Sequence, residues 1–126
     1  MTPANAPSGA VLVVDDDDLV RQVVRAVLEA DDYTVLEAAS GAEALEAVEK
    51  HKPALVILDV MMPGIDGVTV LEKLDHADGL KVLMLTARDD RETEDASREA
   101  GADDFLGKPF SSLELLEHVR KLLVGT

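Results

Sequence analysis

Three short runs, Ala10 to Val14, Ala54 to Leu58 and Val82 to Leu85, are almost wholly apolar, and each is followed by polar or turn residues. Runs of that kind suit strands buried on both faces of a parallel sheet, whereas a strand with one wet face would alternate. Between them, apolar residues recur at helical spacing. Leu19, Val20, Val23, Val24, Val27 and Leu28 form one stripe, Leu45 and Val48 a second, and Val68, Leu71 and Leu74 a third. Leu115, Leu116, Val119, Leu122 and Leu123 form the last. Ser40 with Glu43 and Ser111 with Glu114 have the spacing of capping boxes, and Asp66 can cap a helix after the Pro63-Gly64 turn. Thr34 to Ala38 and Asp104 to Gly107 supply two less apolar strands, so the β-α unit repeats five times. Such alternation implies right-handed crossovers and a doubly wound α/β sheet. The helix expected over Asp89 to Ala100 stands apart, because only Ala96 and Ala100 give it an apolar face among many charges. It is expected to be weakly held and free to shift.

A chain of 126 residues makes one domain. It has no cysteine, which excludes disulfides, thiolate metal sites and thiol nucleophiles. Its formal charge of −14 repels a phosphate backbone and argues against direct DNA or RNA binding. No run reaches the roughly 18 apolar residues of a membrane span. Met1 to Gly9 lacks the basic start and apolar stretch of a signal peptide, so a cytoplasmic location is expected. That opening stretch, with two prolines among small residues, reads as a flexible tail over 1–9, leaving 10–124 as the domain.

In an open α/β sheet, ligands bind beyond the carboxyl ends of the strands, where strand order reverses. The first strand here runs into Asp15-Asp16, the third into Asp59, the fourth into Thr86, and the fifth into Lys108-Pro109. With a flavodoxin-like order, 2-1-3-4-5, the first and third strands are neighbours at the reversal, and Asp15, Asp16 and Asp59 converge. Three carboxylates in one cleft repel, and a hard cation relieves that. Few protein ligands with several waters suit Mg²⁺ better than a caged Ca²⁺. A carboxylate can also act as a nucleophile toward phosphorus if the incoming charge is neutralised, and Lys108 and Thr86 are placed to help. Asp59 is the best nucleophile, since the Asp15-Asp16 pair is better placed to hold metal.

Val-Leu-Val-Val-Asp-Asp-Asp (11–17), Leu-Val-Ile-Leu-Asp-Val-Met-Met-Pro-Gly-Ile-Asp-Gly (55–67), Val-Leu-Met-Leu-Thr-Ala-Arg (82–88) and Gly-Ala-Asp-Asp-Phe-Leu-Gly-Lys-Pro-Phe (101–110) together resemble the receiver domain of bacterial two-component response regulators. The resemblance spans about Ala10 to Val124, with four blocks in the family's order. It implies that Asp59 accepts a phosphoryl group from the histidine of a sensor kinase or phosphotransfer protein. It further implies that Asp16, Asp59 and the backbone carbonyl of Met61 bind Mg²⁺ directly, with Asp15 acting largely through water. Thr86 and Lys108 would contact the phosphoryl oxygens, and Phe105 would take the place of the aromatic switch residue, with the small Ala87 leaving it room. The Lys108-Pro109 bond would be cis. The domain would catalyse only its own phosphorylation and slow dephosphorylation.

Each residue alone has a plainer reading. Asp17 and Asp18 read as an acidic helix start, Lys108 as a surface lysine, Thr86 as an ordinary strand residue, and Phe105 as core. His51, His76 and His118 share no motif and read as ordinary exposed histidines, and Met61 and Met62 as packing near the site mouth. Among other functions, a dehalogenase-type phosphatase would need an acid where Met61 stands, and a flavodoxin would not place Asp15 to Asp18 beside a cofactor phosphate. A pseudo-receiver would have lost part of the acid, threonine and lysine set. With no residues after Thr126 for an effector, a stand-alone switch acting on a protein target is preferred over the receiver portion of a longer DNA-binding regulator. Arg88 and the Gly-Ala-Asp-Asp block resemble regulators that dimerise through the face formed by the fourth helix, last strand and last helix. Glu94 and His118 stand where those relatives place arginines, so a monomer or a weak phosphorylation-dependent dimer is expected.

Overall fold

The apolar runs become the centre of one sheet in the computed structural model, which describes residues 9–61, 66–74, 79–87 and 90–124. The strands are β1 (Val11–Val14), β2 (Val35–Ala38), β3 (Leu55–Asp59), β4 (Lys81–Ala87) and β5 (Asp104–Lys108). All pair in parallel in the order β2-β1-β3-β4-β5, so the order reverses between β1 and β3. The helices are α1 (Asp18–Ala30), α2 (Gly41–His51), α3 (Gly67–Lys73), α4 (Arg91–Glu99) and α5 (Ser112–Val124). This is the flavodoxin-like doubly wound fold.

Side chains alternate across each strand, so the sheet feeds two cores. Val11, Val13, Leu55, Ile57, Leu83 and Leu85 pack with Val24 and Leu28 of α1 and Leu115 and Val119 of α5. Leu12, Val14, Val56, Leu58, Val82 and Met84 pack on the other side with Ala44, Val70 and Leu71. Burial of β1 and β3 on both faces explains why their sequence carries no alternation.

Local signals set the helix starts. Asp17 caps α1, accepting from the Leu19 and Val20 amides. Ser111 and Glu114 form a reciprocal capping box, at 2.9 and 3.1 Å. Ser40 caps Glu43 N–H, while the Glu43 carboxylate reaches back to Ala39 N–H. Asp66 accepts from Thr69 N–H at 2.9 Å.

Three helix expectations need correction. The α1 stripe is wider than its buried face: Leu19 is 68% and Val23 52% exposed, because the sheet covers only the side carrying Val24 and Leu28. In the third stripe Leu71 and Leu74 are buried as expected and are joined by Gly67 and Val70, whereas Val68 is only half-covered. The fourth helix starts at Arg91, capped by Asp90, and its buried residue is Ser97, whereas Ala96 is exposed. The Pro63-Gly64 turn, Met62, His76, Arg88, Asp89 and tail residues 1–8 lie outside the described residues.

Candidate functional site

The carboxyl ends of β1, β3, β4 and β5 carry the candidate residues, and the fold brings them together. Asp59 is the last residue of β3, Thr86 stands one residue from the end of β4, and Lys108 ends β5. Carboxylate oxygens of Asp15, Asp16 and Asp59 lie within 4.8 Å of one another. Asp15 and Asp59 are buried and Asp16 is exposed.

The two buried carboxylates are held differently. Asp15 Oδ1 accepts from Asp17 N–H at 2.9 Å, and its Oδ2 lies 3.4 Å from Lys108 Nζ. Asp59 Oδ1 accepts from Met61 N–H at 3.1 Å, and its Oδ2 lies 3.1 Å from Lys108 Nζ. One ammonium therefore bridges two carboxylates. Burial, seconded by the Asp15 charge, raises the proton affinity of Asp59, against the opposing pull of Met61 N–H and Lys108. Burial alone would lower the Lys108 pKa, but the carboxylates of Asp59 and Asp15 outweigh it and raise it, so the lysine stays charged. The hard oxygens of this acidic cluster fit a divalent cation of the Mg²⁺ type.

Thr86 is 2% exposed, and its Oγ1 has no hydrogen-bond partner among the described residues. A buried hydroxyl without a protein partner costs free energy unless something else meets it, as holds also for Ser97. Beside it, Ala87 is exposed. Phe105 is half-buried against the Met84 core, with the Arg98 guanidinium 4.8 Å from its ring centroid. The Lys108-Pro109 peptide is cis. Met61 projects into solvent, 74% exposed, instead of packing over the site. His118 is half-buried, with Nδ1 2.7 Å from Asp104 Oδ2, and His51 is also half-covered, so neither is an ordinary exposed histidine.

Sequence reading missed two supports of this site. A Cβ on Gly67 would sit 2.5 Å from the Asp59 carbonyl oxygen and 2.7 Å from Val60 Cα. Gly67 N–H also donates to Val60 O at 3.0 Å, so only glycine lets α3 start against the end of β3. The signal was present in Asp66-Gly67, a helix cap followed by glycine. Arg21 is the second, since its guanidinium donates to the Asp15 carbonyl oxygen at 2.7 Å. A cavity of about 560 Å³ lined by Leu45, Val48, Leu74 and Leu80 lies at the opposite, amino edge of β3 and β4.

Residues 11–120 match the response regulator receiver domain family. The chain belongs to that family. Receiver relatives include the response regulator MprA of Mycobacterium ulcerans (strain Agy99), 47% identical over 117 residues that cover 92% of this chain and 50% of the relative. The MprA of Mycobacterium leprae (strain TN) is 46% identical over 92% of this chain and 51% of its own length. The chain thus spans about half the length of the curated relatives it matches. Among solved receivers, a response regulator of Chloroflexus aurantiacus J-10-fl superposes with a TM-score of 0.86 at 42% identity, covering 93% of this chain and 98% of that one. The Vibrio cholerae chemotaxis protein CheY4 gives 0.86 at 32% identity, over 92% and 99%. The receiver is a signalling domain, and no helix among the described residues is long and apolar enough to cross a membrane.

Proposed function

We propose that this receiver is a phosphorylation-driven switch in which Asp59 accepts a phosphoryl group from a phosphohistidine on a sensor kinase or phosphotransfer protein. The observation that carries the reading is the Asp59 carboxylate at the strand reversal, within 4.8 Å of the Asp15 and Asp16 carboxylates and 3.1 Å from the Lys108 ammonium. An Asp59 oxygen forms a bond to phosphorus as the donor's phosphorus–nitrogen bond breaks, and the electron pair leaves with the imidazole. Lys108 and the Thr86 hydroxyl, which has no partner among the described residues, meet the transferred oxygens. Asp16, whose carboxylate has no hydrogen bond among the described residues, Asp59 and the Met61 carbonyl would hold Mg²⁺ directly, with Asp15 through water. Bound there, the ion supplies charge neutralisation and a template for the phosphoryl oxygens. The exposed Leu19 and Leu113 open α1 and α5 on this edge of the sheet, and with exposed Met61 they give the donor protein an apolar landing around the acids.

Output follows from Thr86. Drawn toward the new oxygens, it leaves space that Phe105 fills past Ala87, releasing the ring from Arg98 and shifting the face of α4, β5 and α5. The phosphoryl group acts through its different affinity for two conformations, so the output is a population shift. The thin buried face of α4, limited to Ser97, supports mobility there. Within that face, Asp104 already pairs with His118 inside the chain, which disfavours an intersubunit ion pair and supports a monomer or weak dimer. A second reading, in which the receiver spanning 10–124 governs an effector domain in the same polypeptide, is favoured by relatives about twice the matched length.

Intact-mass spectrometry after incubation with acetyl phosphate tests the proposal. A Mg²⁺-dependent gain of one phosphoryl group in the native chain, absent in Asp59→Ala, is expected. No gain from acetyl phosphate or from a phosphorylated kinase would overturn it.

A further inference from the structure

Arg21 lies on α1, outside every motif that marks the site, yet its side chain is only 14% exposed. The guanidinium spends its donors in three directions. Nη1 donates to the Asp15 carbonyl oxygen at 2.7 Å, Nη2 to Asp18 Oδ1 at 2.6 Å, and Nε to Glu37 Oε1 at 3.0 Å. Glu37, on β2, is itself braced, because Arg25 Nη1 donates to its other oxygen at 2.6 Å. The arrangement therefore runs from the edge strand through the guanidinium to the peptide that joins Asp15 to Asp16.

That peptide is where the β1 ladder ends. Asp15 N–H still donates to Ala38 O, at 3.2 Å, but strand pairing stops at Val14 with Ala38 and the chain turns into α1. A peptide unit is planar, so anchoring the Asp15 carbonyl sets both the ψ of Asp15 and the φ of Asp16. Those two angles set where the Asp16 side chain leaves the backbone relative to Asp15, whose own carboxylate is held by Asp17 N–H and Lys108. Asp16 has no other hydrogen bond to hold it among the described residues, so its direction depends on this peptide plane.

We propose that Arg21 is a positioning residue for the metal pocket: braced by Glu37 and Asp18, it fixes the Asp15-Asp16 peptide and so presents the Asp16 carboxylate to the cation beside Asp15. The inference rests on the Mg²⁺ reading of the acidic cluster. Its basis is geometric, since Asp18 and Glu37 neutralise the guanidinium's charge locally. A lysine would keep the charge but cannot hold a carbonyl and two carboxylates in one fixed fork.

The test is a Mg²⁺ titration of the native chain, Arg21→Gln, Arg21→Lys and Glu37→Gln. Affinity is read from backbone amide shifts at 15–17 and 59–61, and urea midpoints are measured without metal. Partners that orient metal ligands typically contribute about 10–100-fold in affinity, so Arg21→Gln is expected to weaken binding at least about tenfold. Arg21→Lys should fail to restore it, and Glu37→Gln should weaken binding by less. A lowered urea midpoint with affinity within about twofold of native would make Arg21 merely structural and overturn the inference, as would full rescue by lysine. If Arg21→Gln does not fold, Arg21→Lys and Glu37→Gln carry the same comparison. No saturable shift in the native chain would instead overturn the Mg²⁺ reading, and the inference with it.

Discussion

Asp59 sits where two demands conflict under the proposed function, since that reaction needs an ionised carboxylate, yet burial and the Asp15 charge both favour its protonated form. A folded-state pKa raised above the unfolded one means stability is fullest below the unfolded value, near 3.8, and falls as pH rises through the folded value. Asp59→Asn removes the charge but keeps the shape. It is expected to stabilise the metal-free protein by about 1 kcal/mol at pH 7, a typical single-site effect. The gain should vanish below pH 3.8, where both states of the native side chain are neutral. Urea unfolding at several pH values checks this, and a gain independent of pH would contradict the charge argument. Lys108 has the complementary role, because its ammonium keeps the two buried carboxylates from facing each other uncompensated.

At the scale of elements, α3 and α4 show opposite ways of attaching a helix. The start of α3 is pressed onto the backbone of Asp59 and Val60, a contact only glycine permits. Gly67→Ala forces the helix or the end of β3 to move. A loss of about 1–3 kcal/mol is expected, with weaker Mg²⁺ binding because the Asp59 carbonyl is the atom displaced. Thermal unfolding with a Mg²⁺ titration measures both. The α4 helix instead buries a serine, and the Ser97 hydroxyl has no partner among the described residues. Removing a buried, unpaired polar atom is favourable, so Ser97→Ala is expected to add about 1 kcal/mol. It should also slow amide exchange across 91–99. Unchanged exchange there would show that α4 is not held loosely through this residue. The Arg98 contact with Phe105 links the same helix to the proposed switch ring.

For the whole molecule, a charge of −14 makes the folded state repel itself, and the repulsion is concentrated where three carboxylates meet. Salt screens this everywhere, whereas a bound divalent cation relieves it at one point. Mg²⁺ at about 100 times its Kd should add about 2.7 kcal/mol by mass action. NaCl matched in ionic strength should add less. Asp16→Asn should remove the excess and leave only the screening part, as differential scanning calorimetry would report. Equal stabilisation by the two salts would mean that the acids do not act as one site.

The doubly wound sheet and the placing of Asp15, Asp16, Asp59, Thr86 and Lys108 at its strand ends were legible in the chain, because apolar runs mark strands buried on both faces and strand ends are positions in the sequence; the order 2-1-3-4-5 followed from the resemblance to the receiver family. Helix caps were legible for the same reason, being contacts within four residues. Which face of α1 is wet, how Ser97 is buried, and how Asp104 meets His118 were not, since periodicity marks a stripe without marking what covers it. The clasp of Arg21 on Asp15 was also invisible, and Asp66-Gly67 signalled a helix start without showing how closely Gly67 meets the end of β3. Both arise where separate elements converge at distances of a few ångström. Sequence by itself determined the sheet and the residues at its carboxyl edge, through local hydrophobic pattern and position. Only the tertiary structure decided which supports hold that edge in place, because those contacts join residues whose proximity no local spacing encodes.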